Sequence, residues 1–306
     1  MKEYRPEGKL IETPENKAAL RSHVTLSEAF RSHQLLEGRA VICDSEHNLI
    51  VDLGCMKGII PRIEGAVGIA EGTVKDIAII SRVNKPVCFY ITGFTTVNEK
   101  PVALLSRREA QIACRENYLS RLTAGDVIDV RITHLEPFGA FADIGCGIPS
   151  LIPIDAISVS RIDHPRERFS PGMDIRAVVR SVDPSGRICL SHKELLGTWE
   201  ENASLFSAGE TVAGIIRSIE DYGIFVELTP NLAGLAEPHD TARIGQQASV
   251  YIKNLLPEKM KIKLIIIDTF DSSYPPPEPT YFFDGNRMER FSYSPPSSLR
   301  KVETVF

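Results

Sequence analysis

Residues 138–146 read Phe138-Gly139-Ala140-Phe141-Ala142-Asp143-Ile144-Gly145-Cys146. Successive side chains of a β-strand point to opposite faces, so the two alanines and Ile144 form one small apolar face. Phe141 and Asp143 share the other face, where a large ring contributes little to a core. The stretch therefore predicts a strand that packs a β-sheet interior and displays an aromatic side chain outside it.

The same pattern occurs three times along the chain. Asp143-Ile144-Gly145-Cys146 repeats Asp52-Leu53-Gly54-Cys55, and Tyr222-Gly223-Ile224-Phe225 repeats Phe138-Gly139-Ala140-Phe141. Each unit opens on a glycine, namely Gly38, Gly125 and Gly209. Short alternating strands separated by turns predict a small closed Greek-key barrel in each unit.

The predicted fold class is all-β, with three consecutive OB-fold, five-stranded Greek-key barrels joined by short helices. The domain boundaries that we assign are 1–37 for an N-terminal helical segment, 38–108 for a degenerate first barrel, 109–124 for a helical linker, 125–194 for the second barrel, 195–208 for a second helical linker, 209–268 for the third barrel, and 269–306 for a Pro- and aromatic-rich tail.

Three segments, one before the first barrel and two between barrels, have helical patterns. Thr25-Leu26-Ser27-Glu28 is a capping box that opens a helix ended by Gly38, and Thr198-Trp199-Glu200-Glu201 is a second box. The apolar spacing of residues 109–122 predicts the third helix.

The tail allows two interpretations. Residues 274–279, Tyr-Pro-Pro-Pro-Glu-Pro, favour an extended polyproline conformation in a disordered tail. The many aromatic residues of the same tail favour packing onto the third barrel.

Composition narrows the possible functions. The formal net charge of −5 does not indicate nucleic-acid binding by itself, but aromatic platforms flanked by a few cations can bind single strands.

The six cysteines form no CxxC pair, so we expect reduced thiols and no metal site. The P-loop, HExxH and GxSxG motifs are also absent from the sequence, which predicts a protein that is not an enzyme.

The candidate RNA-binding residues are rings and cations that we expect outside the barrels, either by strand alternation or, for Phe138 and Tyr222, at the turn before the strand. The rings are Phe138, Phe141, Tyr222 and Phe225. The cations of the last strands are Arg187, Lys261 and Lys263, with Lys259 as a further candidate, and a loop adds Arg161, Arg166 and Arg168. Bases can stack on such rings while the cations meet phosphates, although a solvated lysine face would look similar.

The second and third units resemble the S1 RNA-binding domain family. The matching motifs are Phe138-Gly139-Ala140-Phe141, the turn Asp183-Pro184-Ser185-Gly186-Arg187 and Leu190-Ser191-His192-Lys193. The resemblance extends over roughly residues 38–268 and is weakest in the first unit. The three-unit arrangement is similar to short S1-like ribosomal proteins of clostridia-like bacteria.

The resemblance implies RNA binding through two aromatics, a histidine on the third strand, and the Asp and Arg of the last turn. Phe138, Phe141, Asp183 and Arg187 match this set. Pro153 replaces the histidine in the second unit and Glu237 in the third, where Lys261 matches the arginine.

We therefore expect a cytoplasmic, non-enzymatic protein that binds single-stranded RNA, including mRNA, in translation. His47 and Ile50 replace the two rings in the first unit, so this barrel is expected to contact protein, such as the small ribosomal subunit. No cofactor, membrane or small-molecule substrate is expected. A free RNA-binding regulator or RNA-decay accessory remains an alternative, as does a protein-interaction scaffold that has lost RNA binding.

Overall fold

A computed structural model describes residues 4–239, 241–271 and 278–306. The chain forms two compact units. The first contains Met1–Leu122 with Asp129–Arg131 and Asp143–Pro149, and the second contains Thr123–Ile128, Ile132–Ala142 and Ser150–Phe306. The predicted all-β architecture is confirmed, because the strands close into three five-stranded barrels.

The first barrel has the strand order β1-β2-β3-β5-β4. Its strands are β1 (Leu36–Cys43), β2 (Leu49–Asp52), β3 (Lys57–Ile60), β4 (Pro86–Val97) and β5 (Lys100–Ser106). Residues Ala40, Leu49, Val51, Ile60 and Leu105 point inward and are fully buried. The interior is filled by side chains, as expected of a small closed barrel.

The second barrel repeats this order as β6-β7-β8-β10-β9. Its strands are β6 (Val127–Glu136), β7 (Gly139–Asp143), β8 (Pro149–Pro153), β9 (Asp174–Val182) and β10 (Ile188–Ser191). Val130, Ile132, Ala140, Ala142 and Ile152 are buried, as the alternation predicted.

The third barrel has the order β11-β12-β13-β15-β14. Its strands are β11 (Thr211–Glu220), β12 (Gly223–Thr229), β13 (Leu232–Ala236), β14 (Gln247–Leu256) and β15 (Lys261–Phe270). Ile262 and Leu264 of β15 are buried, whereas Lys261 and Lys263 are exposed. The start of this strand therefore has an apolar inner face and a cationic outer face, and the outer face continues with the exposed Ile265 and Ile267.

The helices are α1 (Pro14–Ala19), α2 (His23–Arg31), α3 (Ile77–Ile80), α4 (Arg107–Asn117) and α5 (Trp199–Ala203). The capping box at Thr198 is confirmed, since its hydroxyl accepts the Glu201 N–H at 3.2 Å and Glu201 accepts the Thr198 N–H at 2.7 Å.

The predicted helix start at Thr25 and helix end at Gly38 are wrong. Ser22 is the N-cap of α2 and forms its capping box with Thr25, so the helix begins earlier. It ends at Arg31, and Gly38 lies within β1. There, a Cβ would come within 2.7 Å of the Val51 side chain, so this glycine permits close strand packing rather than ending a helix.

Residues 278–306 of the tail adopt the packed alternative and add a small hairpin of β16 (Arg290–Ser292) and β17 (Glu303–Val305). Met288, Phe291 and Tyr293 are buried in the core cluster of the third barrel. The Arg176 guanidinium of β9 donates to the carbonyl oxygens of Phe283 and Gly285, each at 2.6 Å, so the tail also packs on the second barrel. The predicted polyproline residues 274–277 lie outside the described residues.

Candidate nucleic-acid interface

Two phenylalanine rings lie on the outside of the second barrel, at the turn between β6 and β7. Phe138 is 57% exposed and Phe141 is half-buried. Their ring centroids are 6.0 Å apart and their planes meet at 87°, an edge-to-face contact that holds both rings in defined positions. Phe138 thus presents an open ring face to solvent.

Gly139 separates the two rings and allows β7 to approach β8 closely. A Cβ at this position would lie 2.4 Å from the carbonyl oxygen of Ile152. Any other residue would therefore push the two strands apart and move the rings.

His134 is a third ring at this site and was missed by the sequence analysis. It is exposed and stacks on Phe141, with centroids 4.3 Å apart and planes within 8°. Alternation from Ile132 would turn His134 inward, but Thr133 and His134 both avoid the core, so the alternation breaks here. The sequence signal that could have identified this ring is a histidine seven residues before Phe141.

The third barrel repeats the aromatic pair. Tyr222 is 68% exposed and Phe225 is half-buried, with centroids 6.2 Å apart and planes at 90°. Gly223, at φ +149°, again separates the rings, and its Cβ would lie 2.5 Å from the Ala236 carbonyl oxygen. The two barrels therefore build the same local surface from the same backbone constraint.

Strand register places a lysine in line with the Phe225 ring. Phe225 pairs with Leu235 of β13, and Leu235 pairs with Lys263 of β15. Two strand spacings are roughly 10 Å, about the reach of a nucleotide whose base lies on the ring. Lys261 and Lys259 are also exposed, at the start of β15 and in the turn before it.

The turn before β10 is held by Asp183. Its carboxylate accepts the N–H groups of Ser185 and Arg187 at 2.8 and 2.9 Å and the Ser185 hydroxyl at 2.6 Å. The Ser185 hydroxyl bond contributes most to holding the pKa of Asp183 below its usual value. Asp183 thereby fixes the backbone from which the exposed Arg187 side chain projects.

The two carboxylates that share a strand face with the rings lie outside the barrel cores but are not solvent-exposed. Asp143 is buried and accepts N–H groups of Glu7, Gly145 and Gly147 at 2.7, 2.8 and 3.0 Å. Burial, followed by the nearby Glu7 charge, raises the pKa of Asp143 to about 7. Asp143 is thus part of an internal polar cluster.

Glu227 is likewise buried. Its Oε2 accepts from Arg168 Nη2 of the second barrel at 2.5 Å and from Arg217 Nε of β11 at 2.7 Å. Arg217 also pairs with Glu167. The candidate cation Arg168 therefore neutralises Glu227 and is only 8% exposed, whereas Arg161 and Arg166 of the same loop are exposed.

Residues 121–193, which contain the whole second barrel, match the family model of the S1 RNA binding domain. The chain therefore carries an S1 domain. This match confirms the resemblance inferred from the sequence for the second unit.

Relatives extend the similarity beyond the S1 domain. Small ribosomal subunit protein bS1 of Leuconostoc lactis is 28% identical over 236 residues, or 71% of this chain and 52% of that protein. The protein of the same name from Staphylococcus aureus (strain COL) is 27% identical over 263 residues, or 80% and 64%. The chain thus spans between half and two thirds of the length of these curated relatives.

Among solved structures, a multidomain protein with nucleic acid binding domains from Streptococcus pneumoniae TIGR4 aligns over 77% of this chain and 74% of that one, at 14% identity and a TM-score of 0.25.

The first barrel replaces the rings of the S1 domain with aliphatic side chains. Register aligns Ile42, Ile50, Ile59 and Leu104 in one row across four strands, and Ile42 is 51% exposed. His47 occupies the position of Phe138, and its Nδ1 lies 3.1 Å from Asp76 Oδ2. No ring pair equivalent to that of the S1 domain is present in this row.

Within the described part of the chain, no group of three or more His, Cys, Asp or Glu side chains could hold a metal ion. No helix within the same ranges is long and apolar enough to cross a membrane.

Proposed function

We propose that this protein binds single-stranded RNA, including mRNA, by stacking bases on the rings of the second and third barrels. The observation that carries the proposal is the repeated exposed pair, Phe138 with Phe141 and Tyr222 with Phe225. Each stacked base contributes about 1–3 kcal/mol. Two to four stacks give roughly 2–12 kcal/mol before ordering costs, which is compatible with micromolar affinity at about −8 kcal/mol.

The proposed phosphate contacts are exposed cations of the same two barrels. Arg187 serves the second barrel, and Lys261 and Lys263 serve the third, with Lys259 beside them. The exposed loop residues Arg161 and Arg166 extend this surface. Arg168 is left out because Glu227 already binds its guanidinium.

The biological role that we propose is a non-enzymatic one in translation, in the cytoplasm, with the RNA held near the small ribosomal subunit. The similarity to bS1 proteins over most of the chain supports this role. The aliphatic row of Ile42, Ile50, Ile59 and Leu104 supports protein contact by the first barrel. Ile42 is exposed and the other three are half-buried, and apolar side chains grouped at a surface commonly mark interfaces.

The direct test is binding of a fluorescent oligouridine by the full chain. The combined variant Phe138→Ala and Tyr222→Ala is expected to weaken binding about tenfold or more, with unchanged circular dichroism. Phe30→Ala, which removes another partly exposed ring, is the matched control and should bind normally. Full affinity in the combined variant would refute RNA binding by stacking, and a wild-type protein that does not bind oligouridine would favour the scaffold alternative.

The role in translation is tested by sedimentation with ribosomal subunits. Wild-type protein should co-sediment with the small subunit, and Ile42→Glu with Ile50→Glu should release it without loss of oligouridine binding. Val24→Glu changes an exposed aliphatic residue of α2 outside the row and serves as control. RNA binding without co-sedimentation would instead favour a free regulator or an RNA-decay accessory.

A further inference from the structure

One position on the first strand of each barrel holds a different residue type in each of the three units. In the second and third barrels, this position lies next to a proposed stacking ring of the second strand. In the second barrel, His134 of β6 stacks on Phe141 of β7 at 4.3 Å. In the third, Ser218 of β11 pairs with Phe225 of β12. In the first, Ile42 of β1 pairs with Ile50 of β2.

In the first and third barrels, a local irregularity of strand pairing turns this position outward. The pairing of β11 with β12 slips between Ile216 and Ser218, and that of β1 with β2 slips between Ala40 and Ile42. A β-bulge of this kind changes which face the next side chain occupies. His134 follows buried Ile132 by the same two residues and is exposed.

The stacked contact determines which ring faces remain open. His134 covers one face of Phe141, and Phe138 meets Phe141 edge-on. A base therefore cannot lie on the covered face of Phe141. A base can instead lie on the outer face of the exposed His134 imidazole. The Thr133 hydroxyl, 3.3 Å from His134 Nδ1, helps to hold this ring in its orientation.

We propose that His134 is a third stacking residue of the S1 domain and that this strand position sets how many bases each barrel holds. Histidine rings are established stacking partners for unpaired bases. The second barrel then offers three rings, the third two, and the first none. The inference rests on the proposed function and adds a binding residue to it.

The test compares variants of the full chain in oligouridine binding. His134→Ser should weaken binding about tenfold with an unchanged melting temperature, and His134→Phe should bind like the wild type. His134→Leu keeps an apolar contact with Phe141 but removes the π face, and it should bind as weakly as His134→Ser. His33→Ser is the matched control, because His33 stacks on Tyr90 in the same way, at 4.0 Å and 10°, away from the proposed surface.

The reverse exchange tests the position itself. Ser218→His, in a chain that carries Phe138→Ala and Phe141→Ala, should strengthen the remaining binding several-fold. Wild-type affinity in His134→Ser or in His134→Leu overturns the inference, as does the absence of a gain from Ser218→His. If the ring variants Phe138→Ala and Tyr222→Ala also bind normally, the proposed function fails; if they bind weakly, only the role of His134 fails.

Discussion

At the scale of single residues, glycine determines where the proposed stacking rings can lie. Gly139 and Gly223 stand between the paired rings, and each faces a backbone carbonyl oxygen of the next strand at 2.4–2.5 Å from where a Cβ would be. Backbone cannot move aside as a flexible side chain can. The two aromatic pairs are therefore tied to glycine in the intervening position.

Gly139→Ala is expected to lower the free energy of unfolding by about 1–3 kcal/mol, because the added methyl group overpacks a fixed backbone. It should also weaken oligouridine binding by displacing Phe138 and Phe141. Urea unfolding and anisotropy measure the two effects. Gly93→Ala is the control, since nothing lies within 4 Å of its Cβ position; an equal loss there would contradict the explanation.

A single buried histidine should make stability depend on pH. Burial lowers the pKa of His192 to about 4, and its Nδ1 donates to the Ile157 carbonyl oxygen at 3.1 Å. The unfolded chain takes up the proton near the ordinary value of 6.5, so acid favours unfolding. The contribution of His192 is fully present above pH 6.5 and is lost as the pH falls toward 4, to the extent of about 3 kcal/mol.

Urea unfolding of wild type and His192→Asn between pH 4 and pH 7.5 checks this expectation. The amide of asparagine can still donate toward Ile157 but does not titrate. The variant should therefore show a shallower acid dependence. An identical pH dependence in both proteins would mean that other groups cause the acid loss.

At the scale of elements, a buried ion network joins the third barrel to a loop of the second. Glu227 of β12 binds Arg168 of that loop and Arg217 of β11, and all three side chains are at most 11% exposed. β12 also carries Phe225, two residues before Glu227. One strand thus bears a proposed RNA-stacking ring and the contact that fixes the neighbouring barrel.

Glu227→Gln should lower the free energy of unfolding by about 3 kcal/mol, because it leaves the buried Arg168 guanidinium without its counter-charge and leaves Arg217 with Glu167 alone. Glu303→Gln removes the partner of Arg290 in an exposed pair of the tail, and it should cost at most about 1 kcal/mol. Chemical denaturation of the two variants compares the pairs directly. Equal losses would show that burial does not determine the importance of the Glu227 pair.

At the scale of the whole molecule, binding should depend weakly on salt. The chain has a formal net charge of −5, and the proposed surface contributes only a few cations. With two to four phosphates neutralised, the slope of log K against log salt should be roughly −1.4 to −2.8. Titration of oligouridine binding from low to high potassium chloride measures it, and a much steeper slope would indicate binding dominated by phosphate contacts rather than by stacking.

The sequence determined the architecture and the identity of most candidate residues. Alternation separated inward from outward side chains, so the barrels, the four rings and the outward lysines of β15 followed from local pattern alone. It also gave the Asp183 turn, because an aspartate that accepts nearby backbone N–H groups needs only its own neighbours. These features rest on interactions between residues that are close in the chain.

Only the tertiary structure decided which of the candidate side chains remain exposed and so available for contact with RNA. Arg168 and Arg166 look equivalent in the sequence, yet Arg168 is buried against Glu227, 59 residues further along the chain. His134 emerged only because the folded chain leaves both Thr133 and His134 outside the core, and the tail's aromatics packed because two barrels supplied a surface for them. Burial, pairing slips and long-range ion pairs depend on residues distant in sequence, and local periodicity contains no information about them.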